Sequence, residues 1–324
     1  MNPLRSLIIA VVLALLVFTG VEFMARGIGV RPSQNDDAEL WHYTRWRIAR
    51  ERAPQVVVLG SSRIEAAIDP ETYASETGHR PLSLAMNTGG PIQILEDLAR
   101  DADFRGLILC DVAPLGFFMA GDMFETRPAT LIREYKTITA ANLLETYVRS
   151  RYRAAFAIAH RAEPFTVLLT ALAGARVHQV GVRDRERFNR IRHRNWPGLP
   201  KHREFLRNGH RTIGTPMYPE QVAAYRERIA RAVQLLQQRE SRLVFLRPPS
   251  SGMIRAVEAE RWPRAKYWDA IAAGSIAHTV HFEDHPELQD FNQPDESHIE
   301  GEDAPRFTRA LLEILGSAAV PPES

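Results

Sequence analysis

Two short stretches near opposite ends of the chain carry residue types that could perform acyl chemistry. A hydrophobic stretch at residues 56–59 runs directly into Gly60, Ser61 and Ser62. A glycine permits a tight turn at this point, and a serine hydroxyl held after such a turn can serve as a nucleophile. Taken alone, the pattern is typical of an ordinary turn, because glycine and serine are common turn residues. Its chemistry therefore depends on a base within reach.

A suitable base occurs near the C-terminus, where Asp295 and His298 lie one helical turn apart. This spacing lets the carboxylate accept a hydrogen bond from Nδ1–H of the imidazole, which fixes the tautomer that leaves Nε2 as a base. An isolated Asp-x-x-His pattern is usually a surface turn. This one follows the last predicted strand and precedes the last predicted helix, and that position favours a catalytic role.

Short apolar stretches separated by helical patterns could position these groups. The predicted strands lie at residues 56–59, 82–86, 107–110, 243–246 and 278–282. Their hydrophobic residues are continuous rather than alternating, which is typical of parallel strands buried on both faces. Amphipathic stretches at 91–102, 219–238 and 305–315 predict helices. The order predicts a flavodoxin-like three-layer α/β/α fold with a parallel sheet of about five strands, in which reactive groups collect at the carboxyl ends of the strands.

Together the two motifs resemble those of the SGNH (GDSL-like) hydrolase superfamily. Residue by residue, the resemblance implies that Ser62 is the nucleophile, His298 the base and Asp295 the acid. Ser61 stands where the family has an aspartate. The Gly-Ser-Ser form is similar to a membrane-anchored branch that includes alginate O-acetyltransferase proteins and the teichoic-acid D-alanyl transfer protein. The resemblance covers about residues 54–315, and its specific motifs lie at the two ends.

The resemblance also implies an oxyanion hole made by backbone N–H groups. Gly90 is the preferred donor in the block at residues 84–90, and Gly89 is the alternative. The family's asparagine after the third strand is missing, since Asp111 is the polar residue there and a carboxylate repels an oxyanion. Asn87 is a candidate substitute. A plain glycine turn before a helix explains the 84–90 block equally well.

Other polar residues at the strand ends give weaker signals. Arg247 ends the fourth predicted strand, and we expect it to line the substrate cleft. His281 and His285 are four residues apart, but the pair spans the end of a predicted strand rather than a helix, so the spacing does not favour a metal pair. No metal and no other cofactor is expected.

Residues 7–24 form an apolar stretch long enough to span a bilayer. As a helix it extends roughly 27 Å, close to the thickness of the hydrocarbon layer. Arg5 precedes it, which favours a cytoplasmic N-terminus, and no good Ala-x-Ala cleavage site follows it. We expect a single-pass signal anchor in the inner (cytoplasmic) membrane, with a cleaved signal peptide as the alternative. In both cases the remaining chain faces the periplasm or exterior.

The rest of the chain divides into several parts. The expected boundaries are an anchor at 1–25, a stalk at 26–53, an SGNH-like domain at 54–318 and a tail at 319–324. A helical insertion at about 115–218 interrupts the domain and includes a helical stretch at 128–153.

The insertion contains a strongly basic segment at residues 176–211. This segment has eleven Arg and Lys residues and three acidic residues, which gives it a net charge of +8, although the whole chain carries only +2. We expect a solvated surface, since charge runs usually face water, and a cradle for an anionic polymer is the alternative. The small overall charge gives no reason to expect nucleic-acid binding.

These features predict an extracytoplasmic serine-dependent acyl-ester hydrolase or O-acyltransferase. The resemblance and the location imply an acyl-serine intermediate, a cell-envelope or exported polysaccharide as substrate, and a membrane acyl-exporting protein as partner. The alternative is a catalytically inactive polysaccharide-binding or scaffold subunit of an envelope acylation system, which the missing asparagine favours. The single cysteine, Cys110, excludes an internal disulfide framework and a four-cysteine zinc site.

Overall fold

A parallel sheet lies at the centre of the computed structural model, which describes residues 3–87, 90–122, 124–159, 169–274 and 277–322. The strands are β1 (Gln55–Leu59), β2 (Leu82–Ser83), β3 (Gly106–Asp111), β4 (Gly181–Arg183), β5 (Asn189–Ile191), β6 (Arg242–Arg247) and β7 (His278–His281). The central sheet has the order β2-β1-β3-β6-β7, with every neighbouring pair parallel. Strands β4 and β5 form a separate antiparallel hairpin. The predicted α/β fold is confirmed, although β2 is shorter than the predicted stretch at 82–86.

Both faces of the central sheet are covered, because successive side chains of a strand point to opposite sides. Val57 and Ile108 belong to one buried apolar cluster, whereas Val56 and Leu107 belong to the other. All four side chains are at most 1% exposed. Burial on both faces explains why the strands are continuously hydrophobic in sequence.

Helices fill the outer layers and several of the connections. They are α1 (Pro3–Gly27), α2 (Ala38–Arg50), α3 (Ser62–Ala67), α4 (Pro70–Thr77), α5 (Ile92–Arg100), α6 (Pro114–Phe117), α7 (Thr126–Tyr135), α8 (Ala140–Ala155), α9 (Leu199–Thr212), α10 (Pro219–Gln237), α11 (Gly252–Arg261), α12 (Trp268–Gly274) and α13 (Ala304–Leu315). Short 3₁₀ helices occur at Ala157–Ala159, Arg264–Lys266, Phe282–Asp284, Pro286–Leu288 and Gly316–Ala319. The helices predicted at 91–102, 219–238 and 305–315 are α5, α10 and α13.

The segment at residues 26–53, expected to be a polar stalk, is part of the folded domain. Trp41 and Ile48 of α2 are each 1% exposed and belong to a core cluster. The indole N–H of Trp41 donates to the carbonyl of Leu84 at 3.1 Å. The many charged residues of this segment suggest exposure to solvent, but a charged side chain can be buried when it is paired. Buried Arg45, for example, forms ion pairs with Asp97 of α5 and with Asp101, the C-cap of that helix.

The C-terminal boundary also differs from the expected one at residue 319. Ala319 is buried within a core cluster, and its carbonyl accepts a hydrogen bond from the Tyr73 hydroxyl at 2.5 Å. The folded domain therefore includes the first residue of the expected tail.

The insertion has buried charged contacts rather than a wholly solvated surface. The helical stretch predicted at 128–153 forms two helices, α7 and α8. In the basic segment, Arg183 donates to Glu65 at 2.8 Å and Arg187 donates to Asp36 at 2.7 Å. Both arginines are at most 6% exposed. The expectation of a solvated surface is wrong for these residues, since carboxylates from distant parts of the chain allow the charges to be buried in pairs.

Helix α1 is long and apolar enough to cross a membrane. The mean hydropathy of its most apolar window is 2.6, and 6% of that window is buried. Near the end of the helix, the Glu22 carboxylate accepts hydrogen bonds from the backbone N–H groups of Ala157 and Ile158 at 3.0 and 3.1 Å. The helix is thus joined to the domain by polar contacts as well as by the chain.

Candidate active site

The turn between β1 and α3 places two adjacent serines in different environments. Gly60 has a φ of +133°, and a Cβ at this residue would lie 2.3 Å from Cβ of Asp111. The Ser61 hydroxyl donates to Oδ2 of Asp111 at 2.5 Å and accepts a hydrogen bond from the N–H of Arg63 as the N-cap of α3. Ser62, the first residue of α3, is partly exposed. The turn leaves its hydroxyl available for a different partner.

That partner is the imidazole of His298. The Ser62 Oγ lies 2.8 Å from Nε2 of His298, and Nδ1 of the same ring lies 2.6 Å from Oδ2 of Asp295. An ionised carboxylate can only accept, so Nδ1 carries the proton and Nε2 accepts from the serine hydroxyl. The structure brings the three predicted residues together in a serine–histidine–aspartate relay.

The carboxyl group of Asp295 is held in its ionised form. Burial alone would raise its pKa, but the neighbouring His298 ring and hydrogen bonds hold that pKa far below the ordinary value. Its Oδ1 accepts from the backbone N–H groups of Ser297 and His298 at 3.0 and 2.8 Å. These contacts leave Oδ2 to orient the imidazole.

The expected oxyanion donors are placed less favourably. The N–H of Gly90, which we expected to bind an oxyanion, donates instead to the carbonyl of Phe124 in the insertion at 2.7 Å. Gly89 lies outside the described residues. Asn87 is exposed, and its amide donates to Asp36 at 3.2 Å. The N–H of Ser62 lies in the first turn of α3, where backbone donors have no intrahelical acceptor.

Asp111, at the position of the missing asparagine, supports the turn instead of binding an anion. Its Oδ2 accepts from both the backbone N–H and the hydroxyl of Ser61, at 3.0 and 2.5 Å. Burial raises the pKa of this carboxyl. The contact holds Ser61 away from the histidine and thereby distinguishes the two serines.

Arg247, expected to line the substrate cleft, belongs to a buried charged network. Its guanidinium donates to one oxygen of Glu258 at 2.6 Å, while that of Arg63 donates to the other at 2.7 Å. Arg63 also donates to the Ser297 hydroxyl at 3.0 Å, and this hydrogen bond connects α3 to the loop that carries Asp295 and His298. Arg247 also borders a cavity of about 320 Å³ that has aromatic residues in its wall. Its guanidinium is held by Glu258 and therefore lines this cavity in a fixed orientation.

Helix α9 supplies residues that the sequence reasoning missed. Arg203 donates twice to the carbonyl of Pro294, at 2.9 and 2.6 Å. Arg207 binds both carboxylate oxygens of Glu296, whose φ is +70°. The two arginines are one helical turn apart and therefore share a face, but no sequence signal indicates that this face holds the Asp295 loop.

Two histidines of the insertion also approach the relay. Nε2 of His193 and Nε2 of His202 each lie 3.5 Å from Oδ2 of Asp295. The Trp196 ring packs beside both imidazoles, with centroid distances of 5.9 and 5.4 Å. Burial lowers the pKa of His193 to about 4. Neither histidine belongs to a recognisable motif, because about a hundred residues separate them from the aspartate.

No protein-family model matches the chain, and no curated protein matches it either.

Replacing Gly60 with alanine is expected to destabilise the protein by at least ~2 kcal/mol. The methyl group would overlap Asp111, and the positive φ disfavours any side chain, two effects that each cost ~1–3 kcal/mol. Urea unfolding of the full chain in detergent, followed by tryptophan fluorescence, measures the effect. Gly78→Ala is the matched control, since it has a φ of +78° but open space around its Cβ. Equal losses in the two variants would contradict the proposed contact with Asp111.

Proposed function

We propose that the protein is a serine-dependent acyl-ester hydrolase or O-acyltransferase. The observation that carries this proposal is the pair of short contacts from Ser62 to His298 and from His298 to Asp295, 2.8 and 2.6 Å long. Ser62 lies more than two hundred residues from the other two in the sequence, yet its Oγ faces Nε2 of His298, and Nδ1 of His298 faces Oδ2 of Asp295. These are the contacts that proton transfer from the serine to the histidine requires. The likeness of the motifs to SGNH hydrolases supports the same activity.

The chemistry begins with transfer of the Ser62 hydroxyl proton to Nε2 of His298. The serine oxygen then attacks an ester carbonyl, and the tetrahedral oxyanion forms beside the backbone N–H of Ser62 at the start of α3. Collapse of this intermediate expels the alcohol, which takes the proton from His298 and leaves an acyl-serine. A water molecule or a sugar hydroxyl next loses its proton to Nε2 and attacks the acyl carbonyl. Collapse of this second tetrahedral intermediate breaks the bond to Ser62, whose oxygen takes the proton back from His298. Asp295 stabilises the imidazolium in both halves.

Helix α1 is long and apolar enough to cross a membrane, and this supports a place for the reaction outside the cytoplasm. Arg5 precedes the apolar stretch, and positive charge favours the cytoplasmic side, so the domain would face the periplasm or exterior. A cell-envelope or exported polysaccharide is then the acceptor or acyl donor within reach. A membrane protein that exports acyl groups would be the partner if the reaction is a transfer.

A serine-reactive fluorophosphonate tests the nucleophile directly. The full chain is expected to become labelled at Ser62, with the adduct located by intact mass and peptide mass spectrometry. Ser62→Ala should lose the label, because the hydroxyl that contacts Nε2 of His298 is removed.

Ser61→Ala is the matched control for the labelling experiment. It removes the adjacent hydroxyl, which binds Asp111 rather than His298, and it should retain the label. Equal labelling of the two variants, or no labelling of the unaltered protein, would overturn the assignment of Ser62 as nucleophile.

A second candidate function is an inactive polysaccharide-binding or scaffold subunit. The specific observation in its favour is that the Gly90 N–H already donates to Phe124, and Asp111 replaces the expected asparagine donor. Removing one oxyanion donor costs about 3 kcal/mol of transition-state stabilisation. The scaffold function predicts that p-nitrophenyl acetate is hydrolysed no faster by the full chain than by Ser62→Ala, whereas the enzyme function predicts a clear difference.

A further inference from the structure

We propose that His193, His202 and Asp295 form a site for a zinc-type transition-metal ion that inhibits the relay. Within the part of the chain that the structure describes, their ligand atoms form a group in which all lie within 4.8 Å of one another. Two imidazole nitrogens and one carboxylate oxygen are a donor set that zinc prefers. The existence of the site is independent of the proposed function, whereas its inhibitory effect rests on that function.

The distances from the two imidazoles to Asp295 are longer than those of short charge-assisted hydrogen bonds and match shared coordination of a metal ion. Each Nε2 lies 3.5 Å from Oδ2 of Asp295. A charge-assisted hydrogen bond is shorter, about 2.7–2.9 Å. By contrast, zinc bonds of about 2.0–2.1 Å to tetrahedral ligands place neighbouring ligand atoms ~3.3–3.4 Å apart. Each nitrogen thus lies at about the distance from Oδ2 that a shared zinc ion requires, and the ligand atoms of the group all lie within 4.8 Å of one another.

The surroundings suit a metal that enters from solvent and is then held. The His193 side chain is 2% exposed and faces the aspartate through Nε2, and its buried Nδ1 has no hydrogen-bond partner among the residues that the structure describes. The His202 side chain is 29% exposed and gives access to the site. The two rings stack with centroids 5.5 Å apart, and Trp196 packs beside them. Helix α9 and the loop after β5 therefore present both nitrogens together.

Metal binding at this position would disable the relay through Asp295. Its Oδ2 is the oxygen that accepts from Nδ1–H of His298 at 2.6 Å. A divalent cation on the same oxygen withdraws electron density from that hydrogen bond and places positive charge beside the ring that must become an imidazolium. Ser62 would then lose the base that activates it.

Zinc alone, titrated into the full chain in detergent, tests the site. Competition with a chromophoric chelator should show one tightly bound zinc per chain, and His202→Ala should weaken that binding at least ~10-fold. His278→Ala, which removes an exposed histidine from the start of β7, should bind zinc like the unaltered protein. Ser62→Ala should bind equally well. Unchanged zinc affinity in His202→Ala would overturn the proposal.

Fluorophosphonate labelling with and without zinc separates this inference from the proposed function. Zinc should lower labelling of the unaltered protein by at least ~10-fold, and the ratio between the two conditions should approach one in His202→Ala. Tight zinc binding to a protein that never labels would contradict the proposed function and leave the site established. Labelling that zinc does not reduce would contradict the inhibitory role.

Discussion

Asp295→Asn is expected to hydrolyse p-nitrophenyl acetate about 10⁴-fold more slowly than the unaltered protein. The reason lies in how the two carboxylate oxygens are used. Oδ1 accepts from the backbone N–H groups of Ser297 and His298, so the oxygen of an asparagine amide must occupy that position. Its NH₂ group then faces Nδ1 of the imidazole, which has to accept rather than donate.

The altered hydrogen bond reverses the tautomer of His298. With Nδ1 accepting, the proton moves to Nε2, which faces the Ser62 hydroxyl at 2.8 Å and can no longer remove its proton. The substitution keeps the shape of the side chain, so the fold should persist. Steady-state rates and unfolding curves measured on the same preparation distinguish a lost base from a lost fold.

Asp290→Asn is the matched control, because this aspartate is exposed and lies just before the same loop. It should retain the unaltered rate. An Asp295→Asn rate within ~10-fold of the unaltered protein would show that the relay does not carry the reaction, even if Ser62 still reacts with a fluorophosphonate.

The relay itself could be predicted from the sequence because each half has a local pattern. Gly60 to Ser62 follow a buried strand, and Asp295 and His298 have a spacing that a single turn can close. Parallel topology then supplies the long-range step, since the carboxyl ends of the strands meet at one edge of the sheet. The strands were predictable for a related reason, as burial on both faces requires continuous hydrophobic residues.

The supporting contacts could not be predicted, because their partners lie far apart in the chain without a shared pattern. Arg183 and Glu65 are separated by 118 positions, yet they form a buried pair at 2.8 Å. In the sequence, Arg183 is one of many charges in a basic segment, and composition alone suggests solvent. The contact made by Gly90 could not be predicted for the same reason, since the carbonyl that accepts from its N–H comes from Phe124 in the insertion.

The insertion thereby has a structural role beside the candidate active site. Arg203 and Arg207 of α9 bind the loop that carries Asp295, and His193 and His202 approach the aspartate itself. Connections in compact domains are usually short, and a long one is usually either functional or disordered. This insertion forms part of the wall around Asp295, so changes in it should affect the position of that carboxylate as well as stability.

Glu258→Ala is expected to lower the free energy of unfolding by about 3–5 kcal/mol. Glu258 is 3% exposed, and its two oxygens separately bind the guanidinium groups of Arg63 and Arg247. Removing the carboxylate leaves two buried cations without their shared anion, which costs far more than the loss of one exposed ion pair. Urea unfolding of the full chain in detergent measures the change, and Glu260→Ala, on the exposed side of the same helix, should leave the free energy nearly unchanged.

The pH dependence of stability gives an independent check on Glu258. Burial alone would raise the pKa of its carboxyl, but Arg63 and Arg247 hold that pKa well below the ordinary 4.5. Because the folded protein binds this proton less readily than the unfolded chain, the contribution is complete above pH 4.5 and declines as the pH falls below it. The unaltered protein should therefore lose stability more steeply than Glu258→Ala on acidification. Parallel curves for the two proteins would mean that the arginines do not stabilise the ionised carboxylate, and Arg63 would then have no charged anchor to hold the helix that begins at Ser62.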